Sequence, residues 1–139
     1  MNEPVRVLIL CTGNSARSQM AEGLLRHMAG DRFEVASAGV EPSRVRSQAV
    51  EVMHELGVDI SGHHSKSVDQ FLGQEFDYVI TVCDNANEQC PVFAGKTQRI
   101  HWSFEDPAAA QGDKATHLAV FRRVRDEIGE QLREFVAHH

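Results

Sequence analysis

Val5-Arg6-Val7-Leu8-Ile9-Leu10-Cys11-Thr12-Gly13-Asn14-Ser15-Ala16-Arg17-Ser18 is an apolar run that ends on a thiol, crosses five mostly small residues and reaches an arginine. Arg6–Leu10 shows no polar alternation, which suits a strand covered on both faces. Read as strand, tight loop and helix start, the segment puts the Cys11 sulfur inside a ring of backbone N–H groups facing Arg17. A tetrahedral oxyanion fits such a ring, because the amides donate hydrogen bonds and the helix N-terminus adds partial positive charge. The same field favours thiolate over thiol, which makes the sulfur a nucleophile near neutral pH. The competing reading, a buried core thiol at a strand end, leaves the small-residue loop and Arg17 without a purpose.

Outward from this segment, strand and helix patterns alternate. Helical spacing of Met20, Leu24, Leu25 and Met28 predicts a helix from about Ser15 to Met28, stopped at Gly30. Phe33–Ala38 reads as a second strand ending at Gly39. Gln48–Leu56 reads as a helix with Ala49, Val52, Met53 and Leu56 on its apolar face and Gly57 just beyond. Val68–Leu72 suggests a short helix, Tyr78–Val82 a third strand and Arg99–Trp102 a fourth. The last helix runs from about Thr116 to Val136, with Leu118, Phe121, Val124, Ile128, Leu132 and Phe135 as its core stripe. Alternating β and α elements imply a parallel sheet covered by helices, with ligands at the carboxyl edge of the strands. Cys11, Cys83 and Asp106 all follow strands in this reading, so the topology gathers them at that edge.

At 139 residues the chain is expected to form one domain, 1–139, with 42% hydrophobic and 24% charged residues, an ordinary globular composition. No apolar stretch approaches a membrane span and no signal peptide precedes Val5, so a cytoplasmic protein without a membrane partner is expected. A formal charge of −6 argues against a general nucleic-acid binder, while leaving anion capture to the local field of a pocket. Nothing in the pattern demands an oligomer, and a monomer is the default. The three cysteines do not form an even disulfide set. Cys83, Cys90, His63 and His64 match no paired zinc spacing, so no metal site is expected.

Arg17 has the planar fork that holds two oxygens of one oxyanion, which lysine lacks. The expected oxyanion site is Thr12, Gly13, Asn14, Ser15, Ala16, Arg17 and Ser18. Asn14 and Ser18 suit bracing roles, with Ser18 able to donate to the thiolate, Ser15 is a possible helix N-cap, and Gly13 suits a positive φ or a close backbone approach. Asp106 precedes Pro107 and is biased toward an extended turn. A carboxylic acid there, Asp106 or its neighbour Glu105, can protonate a leaving oxygen, and spacing alone does not choose between them. Cys83 and Cys90 bracket Asp84-Asn85-Ala86-Asn87-Glu88-Gln89, a polar stretch readable as helix or loop. As a helix it would hold the two cysteines about 10 Å apart. A disulfide needs Cα atoms within about 7 Å, so bonding them requires the stretch to unwind.

Taken together, Cys11-Thr-Gly-Asn-Ser-Ala-Arg-Ser-Gln-Met-Ala-Glu22, Ser37-Ala-Gly39, Cys83-x6-Cys90-Pro91, His101-Trp-Ser-Phe-Glu-Asp-Pro107 and Arg122-Arg-Val-Arg-Asp-Glu-Ile-Gly129 resemble the thioredoxin-coupled arsenate reductases. These share the fold of the low-molecular-weight protein tyrosine phosphatases, so the resemblance implies a three-layer α/β/α domain with a four-stranded parallel sheet. It also implies arsenic detoxification by a three-thiol relay. Cys11 attacks arsenate held by Arg17 and the loop amides, and Asp106 protonates the departing hydroxyl. Cys83 then attacks Cys11, Cys90 attacks Cys83, and thioredoxin, not a bound cofactor, reduces the final disulfide.

Two positions depart from the family pattern. Ala16 stands where some members carry a further cysteine that has no place in the relay. Lys66 stands where certain members carry an acidic residue that helps hold potassium with groups near Asn14, Glu22 and Ser37. An ammonium there is expected to pair with Glu22 and make activity indifferent to potassium. Two other functions compete: a phosphomonoester hydrolase of the low-molecular-weight phosphatase type, and a non-catalytic oxyanion-binding module. The first leaves Cys83 and Cys90 idle and lacks an aromatic after Asp106-Pro107 to wall a phenyl ring. The second leaves Cys11, Arg17 and Asp106 without work.

Overall fold

The computed structural model describes residues 3–91, 93 and 95–139. Strand β1 (Val5–Cys11) pairs in parallel with β2 (Phe33–Gly39) on one side and with β3 (Tyr78–Thr81) on the other. Strand β4 (Gln98–His101) adds to β3, giving a four-stranded parallel sheet in the order β2-β1-β3-β4. Val7, Leu8, Ile9 and Leu10 are fully buried, as an unalternating strand between two helical layers must be. The arrangement is three-layered, α/β/α.

The chain leaves β1 for β2 on one side and later returns to β3 on the other. The carboxyl ends of β1 and β3 therefore flank a topological switch point, where a parallel sheet opens a crevice. Cys11 closes β1, opposite Gly39 in register, and Cys83 lies two residues past β3. The fold thus sets two of the three thiols on either side of that crevice.

Among the described residues, four α-helices and two short 3-10 turns accompany the sheet. Helix α1 (Arg17–Ala29) packs against α4 (Lys114–His138) and against β2, and α2 (Ser47–His54) packs on α4. All six residues of the stripe expected on the last helix are buried. The helix begins earlier than its apolar pattern, because the Asp113 carboxylate caps it by accepting from the Thr116 N–H at 2.9 Å. Buried Arg125 ties α4 to α2, donating to the Val52 carbonyl at 2.8 Å and to Glu55 at 2.9 Å. The stretch after Cys83 forms a short helix, α3 (Asp84–Glu88), and the 3-10 turns cover Val68–Phe71 and Pro107–Ala109.

Three local expectations are corrected. The first helix starts at Arg17 with Ala16 at the N-cap and no side-chain cap, so Ser15 is not the cap. Leu56 is 46% exposed, because α2 ends at His54 and the chain turns away through Gly57 at φ 74°. The positive φ of the thiol loop falls on Asn14, at 49°, not on Gly13. Asparagine tolerates that region better than most residues, and here its buried side chain is fully engaged. At Gly13 a Cβ would sit 3.1 Å from the Ser43 hydroxyl, a tight contact with a side chain.

Candidate active site

The loop between β1 and α1 curls round the Cys11 sulfur, which accepts from the Asn14 backbone N–H at 3.1 Å and lies 2.8 Å from the Ser18 hydroxyl. A cavity of about 180 Å³ opens above it, lined by Cys11, Thr12, Gly13, Ser15, Ala16 and Arg17 from the loop. Asp106 and Ala108 form the facing wall, and Ser43 and Arg46 the rim. A volume of this size suits a tetrahedral oxyanion rather than a large organic group. Among the described residues no aromatic side chain lines it.

Arg17 is held from behind. Its guanidinium donates to the Phe104 carbonyl at 3.1 Å and lies 3.9 Å from an Asp106 carboxylate oxygen. Asp106 in turn accepts from the Ala108 N–H at 3.0 Å, which fixes the start of the Pro107–Ala109 turn. Glu105, the alternative acid, is drawn off to Arg123 at 2.5 Å and does not line the cavity. Of the two acids that spacing left open, Asp106 is the one that lines the cavity.

Two residues expected to contact the oxyanion stand behind the loop instead. Asn14 and Ser18 are fully buried and absent from the cavity wall. The Asn14 amide N–H2 group donates to Ser18 Oγ at 2.8 Å and Ser37 Oγ at 2.9 Å, while its oxygen accepts from the Lys66 backbone N–H and from Gln19. Ser65 donates to the Asn14 carbonyl at 2.7 Å. The loop shape is therefore set by side chains from β2, α1 and the 63–66 segment. Gly39 completes the mould: a Cβ there would lie 2.6 Å from the Thr12 carbonyl oxygen and 2.8 Å from the Asn14 nitrogen.

Beneath this network, the Glu22 carboxylate is buried and accepts from Ser37 at 2.5 Å, with Arg26 at 2.8 Å, His63 at 3.8 Å and the Lys66 ammonium at 3.9 Å. A potassium ion does not fit among these groups, since a guanidinium and an ammonium already face the carboxylate that would hold it. Burial lowers the Lys66 ammonium from its ordinary range, while Glu22 pulls it back up.

Cys83 is buried at the N-cap of α3, and its sulfur lies 3.3 Å from the hydroxyl of Thr12, the residue next to Cys11. Asn85 donates to the same hydroxyl at 3.1 Å. Cys90 is half-buried two residues beyond the end of α3, with its thiol 3.5 Å from the Pro91 carbonyl. Burial pushes that thiol up from its ordinary range, and Arg99 pulls weakly the other way. The intervening helix is held to β4 at both ends, by His101 to Asp84 at 3.0 Å and by Arg99 to the Asn87 carbonyl at 3.1 Å. All three thiols are free.

Ser43 and Arg46 are the site residues that sequence reading missed. The available signal was topological, since the segment following β2 must leave the sheet at the same carboxyl edge as Cys11. Backbone bonds from Ser43 to the Gly13 carbonyl and from Arg46 to the Ser15 carbonyl, at 3.0 and 2.9 Å, bring it onto the loop.

This parallel sheet with a cysteine-to-arginine loop at the end of its first strand defines a class. Residues 6–138 match the low molecular weight phosphotyrosine protein phosphatase family, and the chain belongs to it. Within the family it falls on the arsenate reductase branch. It is 48% identical over 135 residues to the arsenate reductase of Halalkalibacterium halodurans, covering 97% of this chain and 96% of that protein. A solved arsenate reductase in its phosphate-binding state superposes with a TM-score of 0.79 at 33% identity, over 96% of this chain and 98% of that one. The thioredoxin-dependent arsenate reductase of Corynebacterium glutamicum superposes with a TM-score of 0.73 at 31% identity, over 99% of this chain and 63% of that one.

Proposed function

We propose that this chain reduces arsenate to arsenite through a relay of Cys11, Cys83 and Cys90, with thioredoxin as the electron donor. The observation that carries it is the contact of Cys83 with the Thr12 hydroxyl, at 3.3 Å, which holds a second thiol against the residue next to the nucleophile in a site otherwise built for phosphoryl chemistry. The thioredoxin-dependent relative supports the choice of donor.

Arsenate enters the cavity with its oxygens on the loop N–H groups and the Arg17 fork. The Cys11 thiolate attacks arsenic, and one oxygen leaves as water, protonated by Asp106. The Cys83 thiolate then attacks Cys11 Sγ. The S–As bond breaks with its electron pair going to arsenic, so arsenite departs and a Cys11–Cys83 disulfide remains. Cys90 attacks Cys83 Sγ, and Cys11 leaves as a thiolate ready for the next turnover. This third step requires α3 to unwind, since Cys83 and Cys90 stand at its opposite ends. A dithiol of the thioredoxin type reduces the Cys83–Cys90 disulfide and supplies the two electrons consumed.

The alternative, phosphomonoester hydrolysis, uses Cys11, Arg17 and Asp106 in the same way but needs neither later thiol. Steady-state arsenate reduction with thioredoxin, its reductase and NADPH, compared with Cys83→Ser and Cys90→Ser, separates the two. Turnover is expected to vanish in both variants while aryl-phosphate hydrolysis persists. In a single turnover, Cys90→Ser is expected still to release one arsenite per Cys11. Full steady-state reduction by either variant would refute the relay.

A further inference from the structure

We propose that Arg46 is a second anion-binding residue of the active site, an outer guanidinium that draws the dianionic oxyanion to the cavity mouth and holds it there. The inference rests on the oxyanion-reducing reading of the site and adds a residue that the relay does not require.

Four observations support it. Arg46 lines the same cavity as Cys11, Arg17 and Asp106. Its position is fixed by main-chain bonds, since its N–H donates to the Ser15 carbonyl of the thiol loop at 2.9 Å and its carbonyl accepts from Ala49 and Val50 at the start of α2. The guanidinium is nevertheless exposed, and among the described residues it meets no carboxylate or carbonyl partner. The other arginine lining this cavity, Arg17, is engaged with Phe104 and Asp106. An unpaired cation planted on the rim of an anion cavity gains a partner when the anion arrives.

The net charge explains why such a residue is useful. At −6 the chain repels a dianion at long range. Arg17 lies deep, with its side chain only 13% exposed, and projects little field into solvent. Arg46 supplies it at the entrance. Its neighbour Arg44 faces a separate groove over α2 and lacks this placement.

The roles differ accordingly. Arg17 holds the oxyanion through chemistry, so its loss abolishes turnover. Arg46 contributes capture and ground-state holding, so its loss raises KM and leaves kcat near its starting value.

The test compares wild type with Arg46→Ala, Arg46→Lys and Arg44→Ala in two assays: steady-state arsenate reduction at several salt concentrations, and calorimetric titration of inorganic phosphate onto the reduced protein. Alanine at 46 is expected to raise both KM for arsenate and Kd for phosphate about five-fold, an exposed charge-assisted contact. It should also flatten the salt dependence of kcat/KM, with kcat within two-fold. Lysine should keep the salt dependence and part of the affinity, and Arg44→Ala should match wild type. Because the Arg46 side chain makes no capping bond, the alanine variant should melt like wild type. Unchanged KM and Kd in Arg46→Ala, beside normal wild-type turnover, would overturn this inference alone, as would an equal loss in Arg44→Ala. Absence of arsenate turnover by wild type would overturn the reading of the whole site.

Discussion

The Ser18 hydroxyl lies 2.8 Å from Cys11 Sγ while accepting a hydrogen bond from the Asn14 amide at the same length. The orientation of that amide is fixed, because its oxygen already accepts from the Lys66 backbone N–H at 2.9 Å. With one lone pair of Ser18 committed to Asn14, its single proton is free to point at the sulfur. Ser18 is therefore placed to donate to the Cys11 sulfur.

Ser18→Ala should accordingly slow alkylation of Cys11 at neutral pH by about ten-fold, the loss of one charge-assisted hydrogen bond. kcat/KM for arsenate should fall in parallel. Asn14 keeps its bond to Ser37, so the loop should hold its shape and the protein should lose no more than about 2 kcal/mol. Alkylation of a Cys83→Ser/Cys90→Ser background, with and without the change, measures this directly. An alkylation rate indifferent to the hydroxyl would show that the 2.8 Å contact does not support the thiolate.

The strands and long helices were legible because each buries enough apolar surface to leave a period. Val7–Leu10 reads as a covered strand, and Leu118 through Phe135 as a helix stripe. Helix α3 has five residues and only Ala86 buried, too short and too polar to mark its own conformation. Cys11 and Arg17 were legible because they lie six residues apart on one loop. The groups that shape that loop were not, since Ser37, Ser65 and Lys66 come from other segments and meet Asn14 only in the folded chain. The choice of Asp106 over Glu105 also depends on a distant residue, Arg123.

Cys90 should be a sluggish thiol until α3 opens. Burial raises its pKa, so at neutral pH its thiolate fraction lies below that of a free cysteine and grows only as pH climbs past the ordinary thiol range. In a Cys11→Ser/Cys83→Ser protein, alkylation of Cys90 should reach half its maximum at higher pH than a cysteine peptide does. Mild denaturant that unwinds α3 should bring the two curves together. Coincident curves in buffer would show that the native environment does not restrain this sulfur.

Potassium should have no effect on catalysis. The buried Glu22 carboxylate is neutralised by Arg26 at 2.8 Å and faced by the Lys66 ammonium at 3.9 Å, so no net negative charge remains to attract a cation. Exchanging sodium for potassium at constant ionic strength should leave kcat and KM within two-fold. Lys66→Ala removes one of the two positive partners and should cost about 1 kcal/mol of stability. A several-fold rise in wild-type turnover on adding potassium would contradict this account.

Gly39→Ala tests whether the loop shape, rather than its residue content, makes the site. Gly39 ends β2 opposite Cys11 in the ladder, and its own N–H donates to the Lys66 carbonyl at 2.8 Å. An added methyl would meet the Thr12 carbonyl oxygen at 2.6 Å, the Asn14 nitrogen at 2.8 Å and the Gly13 carbonyl carbon at 3.0 Å. All three are backbone atoms, so relief requires the thiol loop itself to shift. The Asn14 N–H that donates to the sulfur would then move with the loop, and misplacement by about 1 Å is costly at a preorganised anion site. The variant should fold with a loss of about 1–3 kcal/mol, as for other overpacked sites, yet lose at least about 100-fold in arsenate reduction and in phosphate affinity alike. Thermal denaturation alongside kinetics separates the two effects. Near-native turnover in a destabilised Gly39→Ala protein would mean that the loop amides tolerate displacement, and that Arg17 alone suffices to hold the oxyanion.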